Sequence, residues 1–146
     1  MRKVYVALLG LFAIAIAVQF YLAAVGAFDK PQDDDSFAAH RINGLMVIPL
    51  LGVLATIAAA VAKLGGRTIG LTLLAVGLVI LQRPIQVISE AFNTSAGDTT
   101  TASVLVFGLH AINGLAIIML AGGLMRRARG SLAAPAPVEA SRSGAV

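Results

Sequence analysis

Four long apolar runs, each at least ~20 residues, dominate this chain and leave very few ways for it to fold. They extend from about Val4 to Phe28, Phe37 to Ala62, Thr68 to Ala91 and Ala102 to Met125. Each is long enough, at 1.5 Å rise per residue, to cross the ~30 Å of hydrocarbon in a bilayer. Inside lipid the backbone must satisfy its own hydrogen bonds, so such runs are helices. The alternating ten-residue pattern of a membrane β-barrel is absent. The chain is 58% hydrophobic and only 12% charged, too few charges to cover the surface of a soluble domain of 146 residues. The expected fold is all-α, an integral membrane four-helix bundle in a lipid bilayer.

Charge sets the expected orientation. Arg2 and Lys3 precede the first span, Lys63 and Arg67 separate the second from the third, and Arg126, Arg127 and Arg129 follow the fourth. Asp29, Asp33, Asp34, Asp35, Glu90 and Asp98 lie at the opposite ends. The positive-inside rule then puts both termini in the cytoplasm, with the plasma membrane as the expected location. The net charge of +4 flanks apolar runs and forms no aromatic-interleaved patch, so it reads as topology and not as nucleic-acid binding. The basic start and the small residues of "AAVGA" resemble a signal peptide, but the apolar run exceeds the usual h-region, and a retained helix is expected. Ser36 and the neighbouring aspartates are suited to cap the second helix, and the threonines of "NTSAGDTTT" the fourth. Residues 1–129 form the expected membrane domain. From Gly130 onward no periodic apolar face remains, and a disordered tail over 130–146 is expected.

The second and fourth spans repeat one phrase, "FAAHRINGL" and "FGLHAINGL". Aligning Phe37–Leu54 with Phe107–Leu124 gives ten identities in eighteen positions, among them His40/His110, Asn43/Asn113, Gly44/Gly114 and Gly52/Gly122. Shared Leu and Ile follow from composition; an aligned His, Asn and two Gly do not. Gln19 and Gln82 hold similar places in the first and third spans, and Ala-Phe closes each. The chain therefore reads as a duplicated two-helix hairpin. Two parallel copies are related by a pseudo-two-fold axis along the membrane normal, which sets equivalent residues opposite one another.

His40 and His110 are the only histidines. With Gly44, Ile48 and Gly52, and with Gly114, Ile118 and Gly122, they share one helical stripe. An imidazole one turn from a glycine pairs a metal ligand with room for the edge of a flat macrocycle. Asn43 and Asn113 flank that face. Two opposed neutral imidazoles suit a six-coordinate haem iron. The layout resembles four-helix membrane b-type cytochromes, in which histidines on facing helices clamp haem. Over residues 1 to about 129 the chain also resembles small uncharacterised four-span bacterial membrane proteins, which supply no activity. What the cytochrome resemblance implies is a haem b held by His40 and His110, in electron transfer or redox sensing with a membrane redox partner. The cofactor-binding set is Gly44, Gly114, Asn43, Asn113, Arg41, Arg83, Gln19 and Gln82.

Two other readings stay open. The repeat preserves helix packing in a cofactor-free accessory or scaffold protein of a larger membrane complex, with glycines allowing close approach. Or the histidines belong to a transport or proton relay, which the lack of a carboxylate in the span centres disfavours. With no cysteine there is no disulfide, thiolate metal site or covalent c-type haem attachment. Asp33, Asp34 and Asp35 read as a solvated loop. Arg83 is expected to face the interior, pair with an anion or snorkel outward beside Pro84, and Pro49 to bend the second helix. His40 precedes Lys63 by 23 residues and His110 precedes Arg126 by 16. If both cations sit at one level, the histidines differ in depth by ~10 Å.

The orientation has a direct check. Cysteine introduced at Ser95 is expected to react with an impermeant thiol reagent in intact cells, and cysteine at Ser141 is not. The reverse labelling pattern refutes the topology.

Overall fold

The computed structural model describes residues 1–33 and 35–133. It is all-helical, with no strand among the described residues. Helix α1 is Arg2–Phe28, α2 is Ala38–Val61, α3 is Gly66–Glu90 and α4 is Thr101–Ala133. All four are long and apolar enough to cross a bilayer. Each helix packs on two others, α1 on α2, α2 on α3, α3 on α4 and α4 back on α1. This is an up-down-up-down bundle, with α2 and α4 on one diagonal and α1 and α3 on the other. Large apolar side chains such as Leu11, Tyr21, Leu50, Ile80, Leu105 and Met119 are exposed on the outside of every helix. In water that surface would drive aggregation; in lipid it is the solvated face. The chain is a multi-pass membrane protein.

The core pairs large with small. Tyr5, Leu9, Phe12 and Ile16 on α1 are buried against a bundle interior that includes Ala55, Ala58 and Ala59 of α2, Ala75 of α3 and Ala121 of α4. Lipid tails are as apolar as these side chains, so association rests on close packing and interhelical hydrogen bonds. Tyr5 Oη and Thr72 Oγ1, 3.1 Å apart, link α1 to α3 across the diagonal. At Gly52 an added Cβ would stand 2.8 Å from Val76 Cγ2 and 3.2 Å from Phe12 Cε2. Its repeat partner Gly122 is looser, with only Arg126 Nη1 at 3.7 Å.

Several sequence expectations are corrected. The fourth helix does not stop at Met125 but continues through the arginines to Ala133, because "RRARGSLA" contains no proline to end it. The disordered tail expected from Gly130 is therefore helical as far as Ala133; residues 134–146, like Asp34, lie outside the described residues. Ser36 does not cap α2. Phe37 holds the N-cap position without a side-chain bond, while Asp33 Oδ1 accepts from the backbone N–H of Asp35 and Ser36 and so folds the loop itself. Thr100 does cap α4, accepting from the backbone N–H of Ser103 at 3.2 Å.

Pro49 does not simply bend its helix. Residues Asn43–Val47 form a π-helical turn, and the N–H of Ile48 reaches back to the carbonyl of Asn43. Proline has no N–H and its ring crowds the carbonyl four residues earlier; the wider turn just before it relieves that conflict. The turn absorbs one extra residue, about 100° of rotation, so His40 and Gly52 do not share an unbroken α-helical stripe. The other copy, with Met119 in place of Pro49, remains α-helical through this stretch.

The two matched glycines give the fold its test. Gly52→Ala is expected to destabilise the bundle by about 1–3 kcal/mol through overpacking. Gly122→Ala is expected to be neutral or stabilising, since helix propensity favours Ala by about 1 kcal/mol. Thermal unfolding of the two variants in detergent compares them directly.

Candidate cofactor site in the polar layer

His40 is the third residue of α2 and His110 the tenth of α4. Their rings meet across the bundle diagonal, with centroids 6.3 Å apart and planes tilted by 45°. The depth difference expected from the flanking cations is therefore absent. Its cause is the length of α4, which runs past Arg126 to Ala133 and so reaches about as far beyond His110 as α2 does beyond His40.

Each histidine belongs to a polar cluster with the preceding helix of its own hairpin. His40 Nδ1 is 3.2 Å from the Gln19 carbonyl. A carbonyl only accepts, so this contact puts the hydrogen on Nδ1 and leaves the Nε2 lone pair available. Gln19 Nε2 donates back to the His40 carbonyl at 3.0 Å. Asn43 Nδ2 donates to the Ala15 carbonyl at 2.9 Å and to Gln19 Oε1 at 2.8 Å. In the second hairpin Asn113 Nδ2 donates to the Leu78 carbonyl at 2.7 Å. Ala15 and Leu78 each lie four residues before the glutamine of their helix, so both asparagines choose the equivalent carbonyl. Gln19 and Gln82 are equivalent in space as well as in sequence.

The copies differ in completeness. His110 approaches the Gln82 backbone as His40 approaches Gln19, but falls short of hydrogen-bond geometry, leaving Nδ1 buried and unpartnered. Gln82 Oε1 is likewise buried without a partner among the described residues. One half of the layer is closed and the other retains unused hydrogen-bonding capacity.

The glycines have a different use from the one expected. A Cβ on Gly44 would stand 2.6 Å from Gln19 Nε2, so glycine is what allows the amide to reach the backbone of α2. A Cβ on Gly114 would meet Phe20 Cζ at 3.3 Å and Gln82 Nε2 at 3.5 Å. The room expected for a macrocycle edge is held by these side chains. Arg41 and Arg83 are exposed, while Asn43 and Asn113 are buried.

Three neighbours of the site were not singled out in the sequence. Phe107 stacks on His110 at 5.3 Å with planes 6° apart, and Phe37 meets His40 edge-on at 6.1 Å. Their match in the repeat was the available signal. Gly26 is buried where a Cβ would lie 2.7 Å from Phe37 Cδ1, so it seats the loop that folds over His40; no pattern in the sequence marks it. Phe107 also lines a cavity of ≈230 Å³ between α3 and α4, with Gln86, Ser89, Asn93 and Ser103.

These features define a multi-pass helical membrane protein with a polar layer duplicated across its bundle. More finely, residues 19–85 are similar to a family of unknown function, DUF6220. The matched stretch is under half of the chain; it begins at Gln19, includes His40, Asn43 and Gln82, and ends before His110. No curated protein and no solved structure matches the chain.

The hydrogen bonds predict an asymmetry. Asn43→Ala severs two side-chain bonds and Asn113→Ala one, at about 0.6 kcal/mol each and up to ~1.7 for a strong one. Asn43→Ala is expected to lower the unfolding midpoint in detergent more than Asn113→Ala.

Proposed function

We propose that the protein binds one haem b, with His40 and His110 as axial ligands, and serves electron transfer or redox sensing in the plasma membrane. The observation that carries this reading is the pair of imidazoles meeting across the bundle diagonal. Each is turned by Nδ1 toward a glutamine backbone on the neighbouring helix. At His40 the hydrogen bond to the Gln19 carbonyl fixes ring orientation and favours Nε2 as the ligand atom. A His nitrogen binds a metal at about 2 Å, and the ring centre lies roughly 1 Å further on, so two imidazoles across one iron stand about 6 Å apart. Among the described residues no group of three or more His, Cys, Asp or Glu offers a fuller coordination set. Two imidazoles alone suit an iron whose other four positions are supplied by a tetrapyrrole, and the bound group would supply one-electron redox chemistry.

The donor set fits; the glycine space is occupied. Gln19 lies beside Gly44, and Phe20 and Gln82 beside Gly114, so these are the side chains that would make way for the ring. Arg41 and Arg83 are exposed and adjacent in sequence to layer residues, which suits pairing with propionates at the membrane surface. Cytoplasmic termini are supported by the basic residues at one end of the bundle, and put the layer nearer the outer leaflet.

A second reading has its own observation. The contact of Gln19 with Gly44, and the bonds from Asn43 and Asn113, are what a cofactor-free helix clamp needs. On that reading the protein is an accessory or scaffold packed against a larger membrane partner.

Absorption separates the two. Protein from haem-replete cells is expected to show a low-spin six-coordinate Soret band and a reduced α-band. His40→Ala and His110→Ala are each expected to turn it high-spin or weaken haem retention by at least about 10–100-fold. The double variant should be little worse than the poorer single one, because the ligands act as a unit. A folded but colourless preparation, or wild-type spectra in both single variants, refutes the haem assignment.

A further inference from the structure

At the basic end of the bundle, away from the histidines, a second cavity of ≈360 Å³ opens between three parts of the chain. Arg2 comes from the start of α1, Lys63 from the α2–α3 turn and Arg127 from the last turns of α4. Tyr5 and Thr68 also line it, and the buried Tyr5 hydroxyl is within hydrogen-bond distance of Thr72 Oγ1. Among the described residues no carboxylate lines the cavity, and every Asp and Glu lies at the other end of the bundle. Three cationic residues from separate parts of the chain thus line one concavity, and a bound anion there would be attracted by all three.

The positive-inside rule accounts for cations at this end; it does not account for the backbone at Lys63. This residue adopts φ 52°, a left-handed conformation at which helices usually end in glycine. Two glycines, Gly65 and Gly66, follow almost at once, yet lysine occupies the strained position. The backbone there is fixed by bonds from Lys63 N to the Ala60 carbonyl and from Leu64 N to the Ala59 carbonyl. A non-glycine residue kept in a costly conformation points to a use for its side chain.

We propose that this cavity binds the phosphate of an anionic membrane lipid, held by Arg2, Lys63 and Arg127. The phosphate is shared chemistry with a free anion, but position favours the lipid. The cavity lies where membrane-spanning helices end, at headgroup depth, and basic pockets between such helices recognise anionic headgroups. Arg127 offers a planar fork to phosphate oxygens and Lys63 a point charge.

The test uses full-length protein in zwitterionic detergent, with thermal unfolding and lipid titration as readouts. Phosphatidylglycerol is expected to raise the unfolding midpoint, whereas phosphatidylcholine and inorganic phosphate leave it in place. Lys63→Gly suits the local backbone and should fold at least as well as wild type. Both Lys63→Gly and Arg127→Gln are expected to bind phosphatidylglycerol about fivefold more weakly. Arg67→Gln, which removes a cation from the same end but not from the cavity lining, should keep the wild-type response. An equal response to inorganic phosphate overturns the lipid assignment. So does an Arg67→Gln loss as large as that of Arg127→Gln, or an undiminished response in both cavity variants.

Discussion

A polar side chain inside a bilayer has to find its hydrogen-bond partners on the protein, and here that requirement organises the bundle around one layer. Asn43 and Asn113 are buried in the span interiors and reach carbonyls of α1 and α3 respectively. Those bonds fix the register within each hairpin. Once each hairpin is in register, the duplication brings the two equivalent histidines together across the bundle diagonal. The diagonal pairing of α2 with α4 follows from the cyclic packing order, not from an attraction between imidazoles.

Packing around the layer follows the same economy of space. Gly44 admits a glutamine amide and Gly52 admits Val76 and Phe12. Alanines on α2, α3 and α4 surround the larger side chains of α1. With lipid as solvent, apolar burial separates helices from one another only weakly, so shape at these few contacts decides which faces meet. The π-helical turn at Asn43–Val47 belongs to this economy too, since it accommodates Pro49 while keeping Asn43 buried against α1.

The two ends of the bundle carry different chemistry. The acidic end has the histidine layer beneath a loop folded by Asp33 and seated by Phe37 on Gly26. The basic end has an open cavity whose lining, among the described residues, holds three cations and no carboxylate. The proposed haem near one face and the proposed lipid headgroup at the other are compatible in a single small bundle, because neither site borrows residues from the other.

The number of spans, their all-helical character and the duplication were legible in the chain because they depend on local properties. Span length, backbone satisfaction in lipid and residue identity at fixed spacing need no knowledge of which faces touch. The repeat also marked His40, His110, Asn43, Asn113, Gln19 and Gln82, and the structure gathers all six into one layer. Distance between the histidines was not legible, since flanking cations set depth poorly when one helix runs about two turns past Arg126. Nor was the use of Gly44 and Gly114, because what fills a glycine's space comes from other helices. Gly26, Phe20 and the cavity around Lys63 depend wholly on contacts between segments distant in sequence. Sequence periodicity sees one helix at a time, and only the assembled bundle decides which side chain occupies the space that another leaves.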